Sequence, residues 1–136
     1  MKRLREMLIT TYYAVIGDEI TYRIGLLLSR YALSVKEIGA AIDLPQPRIS
    51  HKLAKLRKYG CVSYQREGQR VIYRFNEPCR TILLAGDATW RKLEPEFKNK
   101  WKTDHDRLLK EMGNELTSRQ IYPLVDEPVL NGTKIA

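Results

Sequence analysis

At 136 residues, 43% hydrophobic and 29% charged, the chain is sized for one packed domain, and a mainly disordered polypeptide is excluded. Its longest apolar run, Ile24 to Leu28, is too short to span a membrane, and the basic start Met1 to Glu6 leads into no apolar signal core. Two cysteines, Cys61 and Cys79, are too few for a disulfide framework, so a reducing cytoplasm is the expected setting, and the net charge of +8 points to a polyanionic partner there.

In chain order, residues 3–16 predict a helix, because Leu4, Met7, Leu8, Thr11, Tyr12 and Val15 recur at spacings of three and four. Gly17 interrupts it, and Asp18 is placed to cap a second helix running from about Glu19 to Tyr31, with Ile20, Ile24, Leu27 and Leu28 along one side. Ser34-Val35-Lys36-Glu37 is a capping box for a short third helix to about Ile42. Asp43 stands where the chain must turn sharply, and aspartate tolerates the left-handed region. Pro47 can open a fourth helix, since a proline in the first turn costs no hydrogen bond. Ile49, Leu53 and Leu56 form its apolar stripe; Arg48, Ser50, His51, Lys52 and Lys55 hold the other face. Gly60 ends that helix.

From Cys61 to Phe75 the period becomes alternating. Val62 and Tyr64 precede Glu67-Gly68, and Val71, Tyr73 and Phe75 follow it, which predicts a hairpin with Arg66 and Arg70 beside its turn. After Pro78 the helical period returns in Cys79, Leu83, Gly86, Trp90, Leu93, Phe97, Trp101, His105, Leu108 and Met112, with Pro95 expected to kink or split the run. Residues beyond about Leu116 show no period and read as a loosely held tail.

The excess charge is concentrated in this central region. Between Gln46 and Arg74, Arg48, Lys52, Lys55, Arg57, Lys58, Arg66, Arg70 and Arg74 face the single acid Glu67. Such a stretch attracts nucleic acid. A short capped helix, a tight turn, a basic helix and a basic-tipped hairpin form, in that order, a helix-turn-helix with a wing. A helix about 10 Å wide fits a major groove about 12 Å wide, with its first turn at the base edges.

The residues that carry this pattern resemble the ArsR/SmtB family of winged-helix repressors. The resemblance lies in the stretch 33–62, with its Ile49-Ser50-His51-x-Leu53 core and Leu56-Arg57-x-x-Gly60 exit, and in Arg66-Glu67-Gly68 of the wing. The segment Gly17 to Leu28 is similar to the family's second helix, so about residues 15–78 are covered. The resemblance implies a mostly helical α+β fold, with residues 1–116 as one domain. Within it lie a helix-turn-helix at about 34–59, a wing at about 61–75 and C-terminal helices at about 79–112. The terminal helices would pair across a two-fold axis, and 117–136 would be a tail.

Carried over by position, the resemblance implies DNA contacts from Gln46, Arg48, Ser50, His51, Lys52 and Lys55 of the fourth helix and from Arg66, Gln69 and Arg70 of the wing. Gln46 suits adenine; Arg48 suits guanine or a phosphate. Arg57 and Lys58 lie late in the helix, where they can serve its C-terminal carbonyls. Pro47 stands where the family usually has serine, which removes one expected phosphate contact. The expected partners are double-stranded DNA with a near-palindromic operator and a second copy of the chain, with no membrane, at the nucleoid.

No cofactor or metal is expected. The paired cysteines of the family's arsenic and lead sensors are absent, with Ser34-Val35-Lys36 in their place. Asp104-His105-Asp106 is followed by Thr117 and Gln120 where zinc-sensing members need a histidine and an acid. His51 is assigned to DNA and His105 to an interface with the second copy. Cys61 is expected in the core. Cys79, near a helix start beside Arg80, reads either as a small residue packed at the dimer seam or as the candidate effector thiol, in a setting that lowers a thiol pKa. No phosphate loop, nucleophile elbow or metal-protease pair points to an enzyme. The rival reading is a winged-helix protein-interaction module without specific DNA binding, and a thiol- or metal-responsive derepressor acting through Cys79 is the second alternative.

Overall fold

Residues 9–121 are described in the computed structural model. The order is α1 (Ile9–Ile16), α2 (Glu19–Leu28), β1 (Leu33–Ser34), α3 (Val35–Ile42), α4 (Gln46–Lys58), β2 (Val62–Glu67), β3 (Arg70–Phe75), α5 (Cys79–Leu93), α6 (Pro95–Met112) and α7 (Glu115–Arg119). The expected first helix is present from Ile9; residues 1–8 lie outside the described residues.

Local chemistry sets most of these boundaries. Asp18 accepts from the Thr21 amide at 3.0 Å and so opens α2. The Ser34–Glu37 capping box is formed in both directions, at 3.2 and 2.8 Å. Asp43 closes α3 in the left-handed region at φ 64°, and Gly60, at φ 76°, lets the Cys61 amide reach back to the Leu56 carbonyl at 2.9 Å. The expected split at proline occurs: Glu94 is extended and Pro95 opens α6.

Three features depart from the sequence expectation. The second helix stops at Leu28 rather than Tyr31, because Tyr31 leaves the helix to form a backbone bridge with Gln120. The hairpin is part of a three-stranded antiparallel sheet, β1-β3-β2, since Leu33 and Ser34 pair with Tyr73 and Ile72. With β3 paired on both edges, Ile72 and Phe75 are its buried residues, while Val71 and Tyr73 are half-buried and Tyr64 is exposed. Finally, the expected tail begins as structure. Residues 117–119 complete α7, and the Ile121 amide donates to the Arg30 carbonyl at 2.9 Å; residues 122–136 lie outside the described residues.

The core is centred on α2, whose Ile24, Leu27 and Leu28 are fully buried with Leu33, Ile38, Ile49, Leu53, Leu56 and Leu108. Gly25 permits α5 to approach closely; a Cβ there would lie 2.7 Å from Leu83 Cδ2. The second half of the expected C-terminal dimer run is used within the chain. Helix α6 returns over α2 and α3, burying Leu108 and Met112 and placing Asp104 2.7 Å from Arg23 Nη2. The apolar side chains still exposed on the terminal helices include Tyr13 of α1 and Ile82, Trp90 and Leu93 of α5.

Candidate nucleic-acid interface

Helix α4 is divided cleanly. Ile49, Leu53 and Leu56 are buried against α2 and α3, so the spacing of four and three turns Gln46, Arg48, Ser50, His51 and Lys55 outward, where all are exposed. The first turn carries no acid, and Gln46 and Arg48 stand exposed on it at the positive end of the helix.

The wing is built from β2 and β3, with Glu67 opposite Arg70 and Gly68 turning the chain at φ 65°. Arg66 and Gln69 are exposed at its tip. Its outer face is stiffened by aromatic packing: Tyr64 lies 5.6 Å from Tyr73, and the Arg57 guanidinium sits 4.4 Å over the Tyr64 ring. Arg57 therefore braces the wing against the end of α4, a role its late helical position left open.

Two of the expected contacts are already engaged within the chain. Lys52 Nζ is 3.1 Å from Asp18 Oδ2, and although burial pushes the Asp18 carboxyl up, hydrogen bonds from Thr21 and Lys52 bring it to about 2. Arg70 reaches Glu37 Oε2 at 3.2 Å and Glu115 Oε1 at 3.4 Å. Among the described residues no carboxylate lies within ion-pair distance of Arg48, Lys55 or Arg66.

One of the two thiols departs from the expectation. Cys61 is fully buried in the core, as expected. Cys79 is also fully buried, and its thiol donates to Cys61 Sγ at 3.1 Å. The low thiol pKa expected at a helix start is overturned: donation to Cys61 and burial push the Cys79 thiol up, because in an apolar site a thiolate loses more hydration than the helix start returns. Neither thiol of the native protein is expected to react with a water-soluble aromatic disulfide reagent, both becoming reactive on unfolding. Rapid stoichiometric labelling of one thiol in the folded chain would contradict this burial.

His105, assigned to an interface with a second copy, is half-buried and packs against aromatic neighbours of its own chain. It stacks between Trp101, at 5.2 Å, and Tyr31, at 5.8 Å, with Nε2 2.8 Å from the Tyr31 hydroxyl. Burial lowers its pKa, which favours the neutral ring. Asp104 is used on Arg23 and lies 3.6 Å from Arg107. Among the described residues no three His, Cys, Asp or Glu side chains come together as a metal site would require.

A buried charge network that joins α2 and the turn after it to α5 lies outside the sequence expectation. Asp87 on α5 accepts from Arg91 Nε at 2.8 Å and from the Tyr22 hydroxyl at 3.3 Å, and lies 3.7 Å from Arg30 Nη2. Arg30 donates to the Leu26 carbonyl at 3.1 Å and lies 4.5 Å over the Trp101 ring. Burial and the nearby Arg91 depress the Arg30 guanidinium to about 10. No local pattern marks a pair separated by most of α2 to α5, although an arginine and an aspartate falling on apolar helix faces were available as a signal.

Residues 22–64 match the family described as "Bacterial regulatory protein, arsR family". Two curated relatives come from Pseudomonas putida. The arsenic resistance transcriptional regulator ArsR1 is 38% identical over 47% of this chain and 51% of its own length. The arsenic resistance transcriptional regulator ArsR2 is 40% identical over 45% and 54%. The chain thus spans about half the length of the curated relatives it matches. Among solved structures, the transcriptional repressor BigR from Xylella fastidiosa superposes with a TM-score of 0.55 at 22% identity, over 63% of this chain and 86% of that one, and shares its fold. The match to the arsR family of bacterial regulatory proteins thus takes in most of α2, all of α3 and α4, and the start of β2.

Proposed function

We propose that the chain is a dimeric transcriptional repressor that binds duplex DNA sequence-specifically and works at the nucleoid in the cytoplasm. The observation that carries the reading is the two-sided α4, with a buried stripe of Ile49, Leu53 and Leu56 behind an exposed face that is basic at its first turn. Gln46, Arg48, Ser50 and His51 read base edges; Lys55, Arg66 and Gln69 meet phosphates. The matched relatives from Pseudomonas putida are regulators, which favours a regulatory over an enzymatic role. No described helix is long and apolar enough to cross a membrane.

The exposed strip of Tyr13, Ile82, Trp90 and Leu93 is where a second copy docks, with Trp90 45% and Leu93 66% exposed. A two-fold dimer presents two α4 helices to half-sites about one helical turn apart, hence a near-palindromic operator. The test is duplex binding against salt, using a fragment recovered from a random-sequence pool. Affinity is expected to fall steeply as salt rises, as neutralised phosphates require. Recovery of no fragment at low salt would favour the protein-interaction module instead, and a monomer in solution scattering would remove the palindrome.

A further inference from the structure

Arg70 is the wing arginine that sequence position assigns to a phosphate, and its surroundings argue otherwise. Its guanidinium bridges two carboxylates far apart in the sequence, Glu37 at the start of α3 and Glu115 at the start of α7. Glu37 is itself buried and saturated. Oε1 accepts from the Ser34 amide at 2.8 Å and from Arg119 Nη1 at 2.8 Å; Oε2 accepts from Arg119 Nη2 and Arg70 Nη1, both at 3.2 Å. Arg119 also contacts Glu115 at 3.3 Å, closing the ring.

Two guanidinium groups and two carboxylates make this ring electrically neutral. A phosphate arriving at Arg70 would meet Glu37 and Glu115 as well, so the contact gains little charge neutralisation. Moving Arg70 away would also strip one of two cations from a carboxylate whose side chain is only 7% exposed. The ring is anchored through the backbone too. The Ala32 amide donates to the Arg119 carbonyl at 2.9 Å, Arg119 Nη1 donates to the Ala32 carbonyl at 3.2 Å, and Tyr31 bridges Gln120. These residues lead directly into β1, which pairs with β3 of the wing.

The geometry points to Arg70 as a positioning residue and not a phosphate ligand: with Glu37, Glu115 and Arg119 it forms a strut through which α7 fixes the wing relative to α3. The phosphate contacts of the wing then fall to Arg66 and Gln69. This rests on the DNA-binding reading above for its consequence, but the strut itself is a property of the free protein.

Two measurements test it. In the free protein, amide hydrogen exchange of residues 66–72 is expected to speed up in both Arg70→Gln and Arg119→Gln; unchanged exchange in either overturns the strut. On the duplex recovered with the parent chain, both variants are expected to bind at least about fivefold more weakly at every salt concentration, with the salt slope unchanged. Arg66→Gln, by contrast, flattens that slope by about 0.9 per wing, the signature of one lost phosphate. Arg70→Lys keeps the charge but cannot fork between two carboxylates, so it stays weak. Should Arg119→Gln fail to fold, Glu115→Gln, at a half-exposed position, is expected to weaken binding with the same unchanged slope. A slope change for Arg70→Gln matching Arg66→Gln, full rescue by lysine, or tighter binding by Glu115→Gln would each overturn the proposal. Faster exchange in the variants together with no duplex recovered by the parent would remove the DNA reading and leave the strut standing.

Discussion

Replacing Asp87 by alanine is expected to lower the unfolding free energy by about 3–5 kcal/mol, the usual cost of removing one partner from a buried ion pair. Asp87 serves Arg91, Tyr22 and Arg30 together, and its side chain is only 3% exposed. Arg30, 6% exposed, would keep only the Leu26 carbonyl and the Trp101 face. Arg91 already has a buried Nη2 without a hydrogen-bond partner, so losing its Nε acceptor deepens the deficit. At roughly 4 °C per kcal/mol for a domain of this size, the midpoint should drop by about 12–20 °C. The control is Lys102→Ala, which removes an exposed pair with Asp106 and should change stability by less than about 0.5 kcal/mol. Thermal unfolding of the two variants side by side checks the claim; equal midpoints would contradict it.

The second large effect is on recognition. Arg48→Ala is expected to weaken binding to the selected duplex by about 30-fold or more. A bidentate arginine–guanine contact is worth about 1–3 kcal/mol, and a two-fold dimer makes it twice, so about 2–6 kcal/mol is lost. Arg48 sits in the first turn of α4, exposed, with no carboxylate in ion-pair distance among the described residues. Binding to scrambled duplex should change far less, so the ratio of specific to non-specific affinity collapses. Lys55→Ala, later in the helix and aimed at phosphate, should weaken both duplexes alike and reduce the salt slope. Competition titrations with the two duplexes separate these outcomes; equal loss on both for Arg48→Ala would make it a phosphate contact.

The reading head was legible because its signals are local. The Ser34–Glu37 box, the left-handed Asp43 and the Gly60 helix end each act within one turn of chain, and the α4 stripe follows from helical spacing alone. The wing was legible in its turn but not in its burial. Alternation picks out Val71, Tyr73 and Phe75, whereas in the sheet Ile72, which pairs with Ser34 of the two-residue strand β1, is buried and Val71 and Tyr73 are only half-buried. A strand that short carries no period to read. Tyr31 was assigned to a helix because nothing near it in sequence announces the bridge to Gln120.

Chain order, periodicity and charge placement determined by themselves that this protein carries a capped helix, a sharp turn, a basic recognition helix and a basic-tipped wing. Capping bonds and amphipathic faces are settled between neighbours three or four residues apart, so they are written in consecutive residues. Only the tertiary structure decided which of the basic residues are free. The return of α6 and α7 over α2 and α3 sets Arg119 against Glu37 and Glu115 against Arg70, while Lys52 meets Asp18 across two helices. It also set Cys79 against Cys61, burying the candidate effector thiol and pushing its pKa up. A charge or a thiol takes its chemistry from whatever lies within a few ångströms, and at those positions the neighbours come from distant parts of the chain.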